Sequence, residues 1–288
     1  MKKKITSASR IIIIGGHEQA VLGLEFLVKK KFNLVLCICR NDDNGKDTFF
    51  PSLIKVAKNR KVPYLKTINV NSNHFFKKVK SFNPDLVLSL QNNYILDKKW
   101  INYFEPRKGI INIHFSPLPK YSGYWPEMWA IWNKEKIHGV TLHYISDKID
   151  TGNIILQKKF KINKNENRFT LYSRCSLEGF KLLKNCISKI TEKKTLGKKQ
   201  NLKIRSFYSK KMPNNGILDL DWNQKKIDRF IRSICFPGFP GVKIKVANQS
   251  YNIIFGELPD HEQIQVFSKN TNLYPDNYVI TKYINKKK

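Results

Sequence analysis

Short apolar runs alternate with helix-like segments through the first 114 residues of the chain. Parallel strands need a crossover between them, which is usually a helix. The alternation therefore predicts an α/β fold, with a Rossmann-like, mostly parallel sheet and flanking helices. The expected strands are 10–14, 33–39, 62–65, 85–90 and 110–114, and the expected helices are 18–29, 50–60, 73–82 and 97–103.

The rest of the chain predicts an extension of this layer and a small C-terminal region. The polar stretch 193–206 resembles a linker. It would separate a main domain, 1–192, from a C-terminal helix-plus-strands region, 207–288. Further helices are expected at 125–133, 170–191 and 225–234, and further strands at 139–144, 153–160, 242–246, 251–255, 263–267 and 278–283.

The charge of the chain is strongly positive, with 53 Lys and Arg against 22 Asp and Glu, a formal net charge of +31. Such a field attracts nucleic acid. The lysines are spread along the whole length, however, which is more typical of a compositional bias than of a dedicated surface. A nucleic-acid partner therefore stays open but is not favoured, and a phosphorylated substrate would also gain from the field.

Cysteine usage and hydropathy bear on location. Five cysteines, an odd number without metal-ligand spacing, indicate reduced thiols and no metal site. No apolar run reaches the roughly 20 residues of a membrane-spanning helix. The basic start of the chain and the short run 11–14 do not build a signal peptide. We therefore expect a cytoplasmic protein without a membrane span.

Gly15, Gly16 and His17 follow the first expected strand and precede the first helix, where dinucleotide-binding loops occur. The GxGxxG spacing is absent. Arg40 stands where an acidic residue would end the second strand of a nicotinamide site. A tight strand-to-helix turn is the favoured interpretation.

Asn112 and His114 lie two residues apart at the end of the fifth expected strand. Alternate residues of a strand share a face, so these two side chains point into one site. Asp150, in an Asp-Thr-Gly sequence, can bring a carboxylate to it. An imidazole that moves protons, a carboxylate that orients it and an amide that binds an oxyanion are suited to acyl transfer.

The segments INIHFSPLPKYSG (111–123) and HGVTLHYISDKIDTGNII (138–155), with the spacing between them, resemble the formyltransferases that use 10-formyltetrahydrofolate. The likeness covers about residues 10–190 and is strongest over 85–157. This family includes methionyl-tRNA, glycinamide ribonucleotide and sugar-nucleotide formyltransferases. The resemblance implies an enzyme whose catalytic domain is 1–192, with 10-formyltetrahydrofolate as co-substrate and no metal.

The resemblance also implies roles for residues. Asn112 matches the oxyanion-stabilising amide and His114 matches the general acid/base. Asp150 matches the carboxylate that favours the charged form of this histidine. His138 and His143 have no role in the motif, and we interpret both as structural. The segments that match the folate pocket are Tyr94, Ile95 and Leu96, and Ser146, Asp147, Lys148 and Ile149.

One departure concerns the acceptor. Many members carry an arginine just before the glycine of the motif, where this chain has Ser122. We place the substrate contacts at Ser122, Gly123 and Tyr124. Because the usual arginine is missing, the nature of these contacts is open.

The tRNA enzymes of the family carry a basic insertion after the second strand and a large C-terminal barrel. Here residues 40–47 are short and rich in acidic residues, and the C-terminal region is modest. Both features favour a nucleotide-linked aminosugar, formylated on its primary amine for lipopolysaccharide biosynthesis. The C-terminal strands could pair across a homodimer.

Other functions stay open. The positive charge favours methionyl-tRNA formyltransferase, whose binding to tRNA would depend steeply on salt. A non-catalytic binding module on the same fold is a second alternative, and the intact Asn112, His114 and Asp150 argue against it. A hydrolase of formyl-folate could use the same three residues with water as the nucleophile.

Overall fold

The computed structural model describes residues 9–192, 197–246, 249–255, 267–268, 271–272 and 278–282. The chain folds into two compact units that interleave along the sequence. The domain limits predicted at 192 and 206 stay a prediction. The first unit contains Met1–Ser122, Gly139–Lys159 and Cys175–Ser206, and the second contains Gly123–His138, Phe160–Arg174 and Phe207–Lys288.

The expected helices and strands before residue 260 are all present, with ends shifted by a few residues. The strand expected at 263–267 lies mostly outside the described residues. The helices are α1 (His17–Lys29), α2 (Leu53–Asn59), α3 (Asn73–Lys80), α4 (Lys98–Phe104), α5 (Pro126–Trp132), α6 (Arg168–Glu192) and α7 (Gln224–Ile234). The strands are β1 (Ile11–Gly15), β2 (Leu34–Cys39), β3 (Tyr64–Lys66), β4 (Leu86–Leu90), β5 (Gly109–His114), β6 (Ser122–Gly123), β7 (Ile137–Tyr144), β8 (Ile154–Lys161), β9 (Phe207–Tyr208), β10 (Val242–Val246), β11 (Gln249–Phe255), β12 (Phe267–Ser268), β13 (Thr271–Asn272) and β14 (Tyr278–Lys282).

The first unit contains a seven-stranded sheet. Its strands lie in the order β3-β2-β1-β4-β5-β7-β8. The pairs β1–β2, β1–β4, β2–β3 and β4–β5 are parallel, and β5–β7 is antiparallel. The mostly parallel, Rossmann-like sheet is therefore confirmed. The strand order reverses between β1 and β4, and ligands of such sheets bind beyond the carboxyl ends of the strands at a reversal of this kind.

The residues of β1 fit its position inside this sheet, between β2 and β4. All four isoleucines of Ile11–Ile14 are fully buried, as expected of a parallel strand covered on both faces. Three helices of this unit begin at polar caps: the side chains of Ser52, Ser72 and Asp97 accept hydrogen bonds from the first turns of α2, α3 and α4. No helix within the described residues is both long and apolar enough to cross a membrane.

The second unit has its own apolar core, formed by α5, α7, β10 and β11. Within it, β11 pairs antiparallel with both β10 and β14. A buried ion pair joins Arg168 to Glu127, with 3.1 Å between Nε and Oε1. The Arg168 guanidinium also lies 5.0 Å from the ring centroid of Phe236. Breaking a buried pair by removing one partner typically costs about 3–5 kcal/mol, so this pair is a point of sensitivity in the unit.

Candidate active site

The end of β5 positions Asn112 between two neighbouring strands. Asn112 lies opposite Ser89 in β4 and opposite His143 in β7. Ser89 Oγ donates to Asn112 Oδ1 at 3.0 Å, and Asn112 Nδ2 lies 3.1 Å from His143 Nε2. Both ends of the amide are therefore held by side chains from adjacent strands.

His114 is anchored at one ring nitrogen and turned toward a carboxylate at the other. Its Nε2 lies 2.8 Å from the carbonyl oxygen of Tyr121. A carbonyl only accepts, so Nε2 carries the hydrogen. Nδ1 faces Asp150 Oδ2 at 3.6 Å, beyond direct hydrogen-bond distance. The ring thus presents Nδ1, and not Nε2, to the space beside Asp150.

The loop after β5 is held by side chains of β7 and β8. Thr141, opposite His114 in β7, donates through Oγ1 to the carbonyl of Ser116 at 2.6 Å. Gln157 Nε2 donates to the carbonyl of Leu118 at 2.8 Å. These bonds hold the start of the loop against the sheet.

Asp150 reaches the site from a tight loop after β7. Its backbone is left-handed, with φ of 55°, a conformation that Asp tolerates better than most residues. A Cβ on Gly152 would lie only 1.9 Å from the carbonyl oxygen of Tyr144, so this position requires glycine. The predicted catalytic residues Asn112, His114 and Asp150 therefore converge at one end of the sheet.

The segment 197–206 binds this loop through two side chains. Gln200 Nε2 donates to the carbonyl oxygens of Asp150 at 2.9 Å and Gly152 at 2.7 Å. Arg205 Nη2 donates to the carbonyl of Ile149 at 3.0 Å. Neither residue carried a local sequence signal, because both lie in the polar stretch predicted as a linker.

His143, which the sequence suggested was structural, contacts two of the three predicted catalytic side chains. It is 1% exposed, and its Nε2 lies 3.7 Å from Asp150 Oδ1. Burial lowers the pKa of His143 to about 4, while Asp150 opposes this shift and His114 adds to it. His143 is therefore neutral near pH 7. The contact escaped sequence reasoning because it depends on which strand pairs with β5.

The first segment predicted to line the folate pocket packs on an apolar cluster, and so does Ile145, the residue just before the second segment. Leu96 is buried in it, and Tyr94 and Ile145 pack against it. Ile95 and Ile149 stay exposed, at 61% and 39%. In the second segment, the hydroxyl of Ser146 hydrogen-bonds to that of Thr151, which also donates to the carbonyl of Lys148. Asp147 and Lys148 face solvent.

The residues predicted as substrate contacts lie in different surroundings. The Ser122 side chain is fully buried and its Oγ donates to the carbonyl of Pro119 at 3.2 Å. Gly123 and Tyr124 belong to the second unit, where Lys210 lies over the Tyr124 ring at 5.0 Å. Their substrate role stays a prediction.

A cavity of about 130 Å³ lies at the carboxyl ends of β1 and β2. The His17 ring stacks on Phe50, with 3.8 Å between centroids, and Arg40 bonds to Asp42 in the cavity wall. Burial and then Arg40 lower the pKa of His17 to about 4. As predicted, the chain makes a tight turn here. A Cβ on Gly15 would lie 1.8 Å from the Leu90 carbonyl oxygen.

The thiols and acidic groups show no metal-binding arrangement in the described part of the chain. No group of three or more His, Cys, Asp or Glu side chains is placed to hold an ion there. The five cysteines are buried and carry free thiols.

The sequence matches the formyl transferase family over residues 10–187. The chain therefore belongs to the formyl transferase family, whose members are enzymes that transfer formyl groups. The family predicted from the motif is confirmed.

Curated relatives cover more than one acceptor. The chain is 32% identical to the methionyl-tRNA formyltransferase of Thermodesulfovibrio yellowstonii, over 78% of this chain and 73% of that protein. It is 30% identical to the GDP-perosamine N-formyltransferase of Brucella melitensis biotype 1, over 65% of this chain and 71% of that protein. It is 29% identical to the bifunctional polymyxin resistance protein ArnA of Wigglesworthia glossinidia brevipalpis, over 81% of this chain but only 35% of that protein.

Solved structures of similar fold include sugar N-formyltransferases. The N-formyltransferase of Helicobacter canadensis, in complex with folinic acid and dTDP-3-aminofucose, is 25% identical. The match covers 96% of this chain and all of that one, with a TM-score of 0.65. WlaRD, a sugar 3N-formyl transferase, shares the fold with a TM-score of 0.66 at 24% identity, over 97% of this chain and 98% of that one.

Proposed function

We propose that this enzyme transfers the formyl group of 10-formyltetrahydrofolate to the primary amine of a nucleotide-linked aminosugar. The observation that carries the proposal is the convergence of Asn112, His114 and Asp150, with His114 Nδ1 3.6 Å from Asp150 Oδ2. A proton-transferring imidazole, a fixed carboxylate and an amide donor together supply what acyl transfer to an amine needs.

In the proposed reaction, the amine nitrogen attacks the formyl carbon and a C–N bond forms. The carbonyl π electrons move to oxygen, and the Asn112 amide donates a hydrogen bond to this oxyanion. His114 takes a proton from the attacking amine and then gives it to N10 of the folate. The bond between N10 and the formyl carbon then breaks, which releases the N-formyl sugar and tetrahydrofolate.

The proton passes through Nδ1 of His114, because Nε2 is committed to the carbonyl of Tyr121 at 2.8 Å. The Asp150 carboxylate stabilises the imidazolium that forms when Nδ1 accepts the proton. Asp150 is only 12% exposed, so water screens this attraction weakly. Asp150 acts through its negative charge.

The exposed apolar side chains of Ile95 and Ile149 support a folate site between the two segments that carry them. Leu96 of the first segment and Ile145, just before the second segment, pack on one apolar cluster. A flat ring with polar edges suits such a place, since exposed carbonyl and amide groups of the loops can bind its edges while isoleucines cover its face.

The cavity beside His17 supports a nucleotide-linked acceptor. Only β4 separates β1 from β5, so the carboxyl ends of β1 and β5 lie two strand spacings apart, about 10 Å. The start of α1 lines this cavity, and helix starts favour phosphate. Arg40 also lines the cavity, where it is paired with Asp42. A nucleotide there could extend its sugar to Asn112 and His114.

Methionyl-tRNA formyltransferase is the second candidate function. The 32% identity to the Thermodesulfovibrio yellowstonii enzyme favours it, together with the net charge of +31. Similarity to the Helicobacter canadensis enzyme over that protein's full length favours the aminosugar.

An acceptor panel tests the proposal. The full chain is incubated with 10-formyltetrahydrofolate and, separately, dTDP-3-aminofucose, GDP-perosamine, initiator methionyl-tRNA or buffer. Tetrahydrofolate release and the mass of the acceptor are measured. A formylated sugar supports the proposal, and a formylated tRNA alone supports the second candidate. Formate release without any acceptor would identify a hydrolase. Folate binding without turnover on any acceptor would overturn the enzymatic assignment.

Variants of the site connect the activity to the proposed residues. We expect His114→Ala and Asp150→Ala to abolish turnover while folate binding stays measurable. His74→Ala is the matched control, because His74 is an exposed histidine on α3. Near-normal turnover in both site variants would contradict the proposed mechanism.

A further inference from the structure

Two hydrogen bonds of His143 define its protonation state and its partner. Nδ1 lies 2.8 Å from the carbonyl oxygen of Tyr144, and Nε2 lies 3.1 Å from Asn112 Nδ2. A carbonyl oxygen cannot donate, so Nδ1 must carry the ring hydrogen. Because burial keeps the ring neutral, Nε2 holds a free lone pair. That lone pair can only accept, and it therefore requires the NH₂ end of the Asn112 amide.

This requirement decides which end of the Asn112 amide is the oxygen and which is the nitrogen. An asparagine can present either its oxygen or its nitrogen, and only the network around it decides which. With Nδ2 bound to His143, Oδ1 is left to accept from Ser89 Oγ at 3.0 Å. Among the described side chains, His143 is the one acceptor bonded to Nδ2, which leaves the second N–H hydrogen of the amide for a ligand.

We propose that His143 is a positioning residue, which fixes the Asn112 amide with an N–H donor toward the developing oxyanion. The inference rests on the proposed function, because it assigns the oxyanion to Asn112. Without the acceptor at Nε2, the amide can turn and present its oxygen to the oxyanion, which repels it. His143 faces three groups that matter to its charge: Asp150 at 3.7 Å, the His114 ring at 6.3 Å between centroids, and the Tyr144 carbonyl.

A double-mutant cycle separates this role from a merely structural one. The acceptor is dTDP-3-aminofucose, or GDP-perosamine if only that sugar is formylated. Loss of one oxyanion donor lowers kcat by about 100- to 1,000-fold, so we expect that loss for Asn112→Ala. We expect His143→Leu to lower kcat by about tenfold or more, with little change in either KM. In the Asn112→Ala background, His143→Leu should have no further effect, because the group that it positions is gone.

Matched variants control for general damage. His143→Gln keeps an oxygen acceptor near the place of Nε2 and should recover much of the activity lost in His143→Leu. His138→Leu removes another fully buried histidine of β7 and should lower Tm without lowering kcat. An equal loss of kcat for His143→Leu in both backgrounds would overturn the positioning role.

A measurement on the resting protein distinguishes failure of this inference from failure of the proposed function. In the full chain labelled with ¹⁵N-histidine, the His143 signals are assigned by their loss in His143→Leu. We expect the neutral Nδ1–H tautomer at pH 7, whatever the acceptor turns out to be. An Nε2–H tautomer or a charged ring would overturn the inference. A neutral Nδ1–H ring together with unimpaired kcat in Asn112→Ala would instead remove the oxyanion role on which it rests.

Discussion

At the scale of single residues, the site depends on side chains that face one another across strands. Asn112 and His114 were predictable because a strand repeats its direction every two residues, and both stand at a strand end. Asp150 was predictable only by resemblance, since nothing local shows that its loop returns to β5. Ser89 is a polar residue inside the apolar strand Leu86–Leu90, and that contrast is a signal that sequence reasoning could have used.

Ser89 provides the first prediction. Its hydroxyl donates to Asn112 Oδ1, and Ser89 is 1% exposed, so water does not readily replace it. We expect Ser89→Ala to lower kcat by about threefold to tenfold, because a net hydrogen bond to a buried group is worth about 0.5–1.5 kcal/mol. The measurement is kcat and both KM values with the active acceptor. The control is Ser188→Ala, since Ser188 lies far along α6. Unchanged kcat in Ser89→Ala would show that His143 alone holds the amide.

At the scale of elements, the pattern of apolar runs predicted the helices and strands because the apolar residues of each segment indicate which of its faces are buried. β1 is buried on both faces and contains isoleucine at four successive positions, Ile11–Ile14. The neighbour of each strand is a different matter. The antiparallel pairing of β5 with β7, which brings His143 beside Asn112, depends on contacts between distant parts of the chain. No local pattern carries such a contact.

The contacts of the segment 197–206 also join distant parts of the chain and have no local sequence pattern. This segment gives the second prediction. Gln200 holds the Asp150 loop through two carbonyl groups, at 2.9 and 2.7 Å. Gln200→Glu keeps the shape but places carboxylate oxygens against those carbonyls. We expect a lower Tm, a kcat reduced by about tenfold, and faster amide hydrogen exchange over residues 145–152.

The control for Gln200→Glu is Lys199→Gln, which changes an exposed neighbour in the same segment. Hydrogen exchange of 145–152 measured by mass spectrometry reports the loop itself. If Gln200→Glu lowers Tm but leaves kcat and exchange of this loop unchanged, then the segment only stabilises the fold and does not position Asp150.

At the scale of the whole molecule, buried histidines make stability depend on pH. The pKa of His143 is about 4 in the folded chain, lowered from 6.5 by burial. Between these values the unfolded chain binds the proton and the folded chain does not. The contribution is therefore complete above about pH 6.5 and is lost as the pH falls toward 4.

We expect this linkage to amount to about 3 kcal/mol of unfolding free energy for His143. It is measured by urea denaturation of wild type and His143→Leu between pH 7 and pH 4. The variant lacks the titrating group, so the gap between the two free energies should change by that amount over this range. A gap that is independent of pH would mean that His143 titrates alike in both states.

The net charge of +31 acts on the whole molecule in two opposite ways. Self-repulsion destabilises the compact state, so added salt should raise Tm. The same field attracts a diphosphate, so added salt should raise KM for the nucleotide sugar, while kcat, set by the enclosed site, stays constant. We expect kcat/KM to fall severalfold between low salt and about 0.2 M salt as Tm rises. Because the two trends run in opposite directions, unfolding cannot explain the loss of activity.

A KM that does not respond to salt would mean that the charge is spread too evenly to attract the substrate to the site. A steep salt dependence seen only for binding of initiator tRNA would shift the assignment to the tRNA enzyme.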